Sequence, residues 1–194
     1  DERINRIFEG TNEINRLLIS GTTLKKSILE ELPIRDAISI RENDWFSELI
    51  NLDDKLEMVV EYFRAASLYV LNELILKYGQ DMKNNQWVLE PYANMLCSLA
   101  IVDTGFKRLQ KMNHDSNRLE NMEIFELSVS QQYVKLNQEM DKILLHVSKN
   151  KEDYLEKSKK INNYRAKLNY YPDEIDLMNK VVNTFYKHGK YYLD

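Results

Sequence analysis

Five glycines and three prolines are spread through 194 residues, too few turn-formers for the many tight turns of a β-sandwich or barrel. Apolar residues instead recur at helical spacing along most of the chain. Hydrophobic residues make up 43% of it, which argues against a wholly disordered protein. The length fits one ordinary domain, with room for a short appendage. The expected fold is all-α: an up-and-down bundle of long antiparallel helices joined by short polar loops.

The first helix is expected to start after Gly10-Thr11 and to run to about Glu31, with Ile14, Leu17, Leu18, Leu24 and Ile28 on its apolar side and Pro33 stopping it. Residues 34–53 are weakly patterned and read as a short helix or a linker. Asp53-Asp54 opens a strongly patterned helix whose stripe includes Val59, Phe63, Val70 and Leu74, with Gly79 at its C-terminal end. A polar loop over Gln80–Gln86 precedes a helix expected to begin at Glu90-Pro91. Longer helices are expected over Leu119–Ser148 and Glu152–Leu168, and a last one from Pro172-Asp173 to near Gly189. Trp45 and Trp87 read as buried packing anchors.

Net charge is −4 and the pI is about 5.5. Without a basic excess to neutralise phosphates, nucleic acid is not an expected partner. A single cysteine, Cys97, cannot form an internal disulfide and fits a reducing compartment; on an apolar helix face it reads as a small core residue. No apolar run approaches the length of a membrane span. The opening DERINRIFEG is charged, unlike a signal or transit peptide, and lacks an initiating Met, so the chain reads as a piece of a longer protein. His114, His146 and His188 are dispersed without metal-ligand spacing, and no metal site is expected. The run Lys149–Lys160 mixes both signs and reads as a solvated helix face. The scattered methionines read as gap-fillers. Tyr186, Tyr191 and Tyr192 have two readings, a tail docked on the bundle or a ligand site.

The stretch that carries chemistry is Arg3-Ile4-Asn5-Arg6-Ile7-Phe8-Glu9-Gly10-Thr11-Asn12-Glu13-Ile14-Asn15-Arg16-Leu17. An amphipathic segment ends at Phe8, and Glu9 follows immediately before a glycine that lets another backbone or a ligand approach closely. The Thr11 hydroxyl can cap the next helix. The free N–H groups of that helix start suit an anion or the polar atoms of a cofactor. On these residues alone Glu9 is either a general base or a solvated loop carboxylate.

The run R-I-x-x-I-F-E-G-T-N-E-I-x-R-L resembles the signature near the end of the catalytic core of acyl-CoA dehydrogenases, almost unbroken from Arg3 to Leu17, and Asp1 fits the Arg-Asp pair that often precedes it. The resemblance implies that Glu9 is the base that removes the α-proton of an acyl-CoA thioester while the β-hydrogen leaves as hydride to flavin. It implies that Gly10 lies by the substrate and that Thr11, Asn12 and Glu13 contact FAD; family members differ at the Glu13 position. Isovaleryl-type branches place the base on another helix, and the presence of Glu9 argues against them. The motif covers about residues 1–30. The helical remainder exceeds the short tail of small acyl-CoA dehydrogenases and resembles the larger homodimeric kind typified by very-long-chain enzymes.

The implied organisation is residues 1–32 as the end of the catalytic helical domain, 33–53 as a linker and 54–194 as a helical extension. The implied partners are acyl-CoA, electron-transfer flavoprotein as acceptor in fatty acid β-oxidation, and a second copy in a homodimer. The implied location is the bacterial cytoplasm or, alternatively, the mitochondrial matrix. FAD belongs to the full-length enzyme and is not expected on this chain alone. The competing reading is a non-catalytic helical interaction module. Membrane contact through residues 33–53 is not expected: Arg35 and Arg41 face Asp36, Glu42, Asp44, Glu48 and Asp53 there, the wrong balance for anionic lipid. Trp45 and Phe46 are expected to pack on the catalytic domain or on a partner subunit.

Overall fold

The computed structural model describes residues 11–41, 44–46, 52, 54–112 and 118–188, and every regular element among them is helical. In chain order these are α1 (Asn12–Ile28), α2 (Ile34–Arg41), α3 (Lys55–Tyr78), a 3₁₀ turn (Gly79–Asn84), α4 (Gln86–Lys111), α5 (Arg118–Val147), α6 (Lys151–Leu168) and α7 (Glu174–His188). The expected all-α bundle is what forms.

Helix starts follow short polar side chains. Asp54 lies in extended backbone and accepts from the N–H groups of Leu56 and Glu57 at 2.7 and 3.1 Å. Asn150 accepts from Asp153 at 2.9 Å, and Asp173 accepts from Asp176 at 3.0 Å. Each satisfies a backbone donor that a helix start leaves free. Gly79 ends α3 at φ +51, a conformation that residues with a Cβ adopt only under strain.

Helix α3 is the axis of the bundle, packed against α4, α5, α6 and α2. Its expected stripe of Val59, Phe63, Val70 and Leu74 is fully buried. Tyr62, Ala65 and Tyr69 on its other sides are buried as well, so the helix is covered almost all round, as a core helix is. Trp45 and Phe46 supply part of that cover. They do not wait for another domain or subunit, as the sequence led us to expect: Trp45 meets Tyr69 edge-on at 5.4 Å, and Phe46 lies 5.7 Å from Tyr62 and 4.4 Å from Tyr164 of α6.

Polar pins cross the same core. The Tyr62 hydroxyl donates to Asn137 of α5 at 2.6 Å, and Arg165 of α6 donates to both at 3.1 and 3.0 Å. Burial pushes the Tyr62 hydroxyl far above its ordinary pKa, against the pull of Arg165, so it stays a neutral donor. Arg41 of α2 and Arg64 both hold Glu61, at 2.6 and 3.0 Å, and Arg64 continues to Asp103 of α4. Burial works against the Asp103 carboxylate, but Lys107 and Arg64 outweigh it and hold its carboxyl below the usual value.

Other expectations differ from the structure. Helix α4 begins at Gln86, ahead of Glu90-Pro91, and takes Pro91 inside it. The carbonyl that Pro91 cannot bond belongs to Trp87, on the exposed side where water can reach it, while Val88 and Leu89 gain burial by extending the helix inward. Trp87 itself is 90% exposed and anchors nothing. Tyr186 is exposed, and Tyr191 and Tyr192 lie outside the described residues. The lysine-rich face of α6 is mostly solvated, except that Lys157 turns inward to Glu73 and Asp153, each at 2.9 Å. Cys97 is half-buried.

Candidate functional site

Of the residues singled out from the sequence, Glu9 and Gly10 lie outside the described residues, while Thr11, Asn12 and Glu13 form the start of α1. Thr11 is the N-cap. Its backbone is extended, its hydroxyl accepts from the Ile14 N–H at 3.4 Å, and its carbonyl accepts from the Asn15 N–H at 2.9 Å. Glu13 is exposed in the first turn. Its own backbone N–H, and after it the Thr11 hydroxyl, hold its carboxyl below the usual carboxylate range. A negative charge there also complements the positive end of the helix dipole.

This arrangement sorts possible ligands. Glu13 already engages one free backbone donor with an anion of its own. A second anion would be repelled, whereas neutral polar atoms could use the half-buried Thr11 and Asn12 beside it. The turn therefore suits neutral polar atoms better than an anion.

What positions the turn is the seating of α1 on α4. Leu17, Ser20, Leu24 and Ser27 form the inward face, and Ser20 donates to the Leu89 carbonyl at 2.5 Å. Arg16 pairs with Glu90 at 3.3 Å. The expected stripe is only half correct. Ile14 and Leu18, at 58% and 64% exposure, stand outside the contact, next to the Thr11 turn. Small serines let the helices approach closely, so the buried face follows them and leaves Ile14 and Leu18, with Ile19 and Ile28, on the open side.

The other polar groupings serve packing. Both the Glu61–Arg64–Asp103 chain and the Tyr62–Asn137–Arg165 pin are internally paired. An apolar groove of about 470 Å³ runs between α4 and α5, where Gly105 lets the Phe125 ring lie against the α4 backbone. Among the described residues its lining carries one charged side chain, Arg108. Among the described residues no three His, Cys, Asp or Glu side chains gather as a metal site, and no helix is long and apolar enough to cross a membrane.

The chain is 32% identical over 121 residues to a probable acyl-CoA dehydrogenase of Bacillus subtilis (strain 168), an alignment that takes in 57% of this chain and 20% of that protein. Its fold matches an acyl-CoA dehydrogenase from Bacillus anthracis solved in complex with FAD, with a TM-score of 0.81 and 24% identity over 98% of this chain and 33% of the other. No protein-family model matches the chain. It thus spans about a fifth of the curated relative and a third of the solved one. The curated relative bears out the resemblance to acyl-CoA dehydrogenases read from the sequence, and the solved structure shows the shared fold.

Proposed function

We propose that this chain is the C-terminal part of an FAD-dependent acyl-CoA dehydrogenase, with residues 1–32 closing the catalytic helical domain, 33–53 linking and 54–194 forming a helical extension. The observation that carries the reading is the Glu9-Gly10-Thr11-Asn12-Glu13 run: its last three residues form a capped helix start in a chain similar to acyl-CoA dehydrogenases in sequence and fold.

In this reading Glu9 takes the α-proton of the acyl-CoA thioester onto its carboxylate. The α-carbon of a thioester is a very weak acid, so the reaction needs a polarised thioester carbonyl and a desolvated carboxylate base. FAD, when bound, accepts the β-hydrogen as hydride, which leaves a trans-2-enoyl thioester and passes electrons onward, to electron-transfer flavoprotein as the acceptor. Gly10 offers backbone to the substrate without a side chain in the way. Thr11 and Asn12 offer neutral polar contacts to the cofactor, and Glu13 keeps the helix start capped. The exposed Ile14 and Leu18 flank fits packing against the preceding part of a catalytic domain.

The test is anaerobic titration of the flavin-loaded full-length protein with acyl-CoA. The expected result is loss of the oxidised flavin absorbance with one equivalent of a suitable acyl-CoA. A bound flavin that no acyl-CoA of short, medium or long chain can bleach would sink the proposal.

A further inference from the structure

Helix α7 hands the chain on beside the apolar groove between α4 and α5. Those two helices run antiparallel, since Asn94 donates to Glu139 at 3.2 Å and Ser98 to Gln132 at 2.8 Å. The groove lies further along the pair, where α4 ends and α5 starts. Ile101, Leu109 and Met112 form one wall, and Ile124 and Phe125 the other. Its floor is flat because position 105 is a glycine: a Cβ there would stand 2.7 Å from the Phe125 ring. Ile101 is 46% exposed in this wall, and Ile124 is half-buried. Helix α7 runs antiparallel to α5 in turn. Glu174 at its start meets Gln131 at 3.2 Å, and Lys187 near its end meets Glu120 at 3.4 Å. Glu120 adjoins Asn121 and lies one turn from Ile124, so α7 ends at the mouth of the groove.

We propose that the segment following α7, Gly189-Lys190-Tyr191-Tyr192-Leu193-Asp194, lies in this groove and closes it as a strap. Reach permits it. Six residues extend to about 20 Å, and the groove follows roughly 16 Å of α4 from Met112 back to Ile101. A glycine opens the segment, and glycine reverses a chain beyond a helix most readily. The chemistry fits as well. In an extended segment Tyr191 and Leu193 share one side, which offers a ring and an aliphatic side chain to Phe125, Ile101 and Ile124. Thr104, Asn121 and Ser128 line the same groove with hydroxyl and amide groups that can bond a peptide backbone, as a bare hydrocarbon could not. Asp194 brings a negative side chain to a groove lined by Arg108. Of the two sequence readings of the C-terminal tyrosines, this selects the docked tail. It needs nothing from the proposed activity, and its test leaves turnover aside.

Disulfide trapping tests the strap. In a Cys97→Ser background, Leu193→Cys is combined either with Thr104→Cys, in the groove, or with Gln110→Cys, exposed on α4 nearer its end and outside the groove lining. Under mild oxidation the intramolecular bond to position 104 should form at least about ten-fold faster than the bond to position 110, as the effective concentration of a docked segment requires. A chain ended after His188 should bind the apolar dye anilinonaphthalene sulfonate more strongly than the whole chain does, with its helical circular dichroism unchanged. The cross-link keeps the whole chain, so it decides the question even where the shortened chain fails to fold. Equal rates at positions 104 and 110 overturn the proposal. So do cross-links that form only between chains, as a second copy in the groove would give. A whole chain that takes up the dye as well as the shortened one also overturns it, because the groove would then stand open to a small ligand.

Discussion

Helices α1 and α3 are both amphipathic by spacing, yet they are held in different ways. Helix α3 is covered by α4, α5, α6 and the Trp45-Phe46 turn, with Val59, Tyr62, Phe63, Ala66, Val70 and Leu74 sealed from water. Helix α1 touches the bundle along one line, where its fully buried positions are Leu24 and two serines. Area holds the first; close approach, one hydroxyl bond and one exposed ion pair hold the second. The element that carries the candidate site is thus the more lightly attached one, with its apolar flank open beside the Thr11 turn. A catalytic loop assembled from several parts of a longer chain can use such an element, because its position is then completed by whatever covers that flank.

The contrast can be broken by mutation. Phe63→Ala should cost about 3–5 kcal/mol in chemical or thermal unfolding, since the ring is fully buried at the centre of α3. A neutral result would remove that face from the core. Tyr62→Phe should cost about 1–2 kcal/mol, because it keeps the ring and removes a hydroxyl that bonds Asn137 and Arg165. Ser20→Ala should cost roughly 1 kcal/mol, the worth of one buried hydroxyl bond to the Leu89 carbonyl; a loss as large as that of Phe63→Ala would mean that α1 is as firmly built in as α3. Trp87→Ala should fall within about 0.5 kcal/mol of zero despite the size of the side chain, because the indole is solvated.

The helical class and most helix boundaries were legible in the sequence, because short polar residues such as Asp54, Asn150 and Asp173 sit where the helices start and few glycines interrupt them. Three things were not. The face that α1 buries is marked by Ser20 and Ser27, which give no apolar signal, while the larger Ile14 and Leu18 advertise the wrong side. The clamp from Arg41 through Glu61 and Arg64 to Asp103 joins three helices, and its members look like ordinary surface charges until the helices are placed. The start of α4 was misplaced because Pro91 reads as a first-turn residue, whereas burial of Val88 and Leu89 carries the helix past it. At the site, the cap role of Thr11 follows from its residue type and is seen in the bond to Ile14. The roles given to Glu9 and Gly10 rest on the motif alone.

The central claim, that this motif supplies the base of an acyl-CoA dehydrogenase, is tested most directly by Glu9→Gln in the full-length enzyme. The amide keeps the size of the side chain and loses the ability to take a proton. The account predicts that acyl-CoA turnover falls by about 10²–10⁴-fold or more while FAD content and acyl-CoA affinity stay close to those of the unaltered enzyme. Turnover within a few-fold of the unaltered enzyme, with flavin and substrate bound, would contradict it and place the base elsewhere.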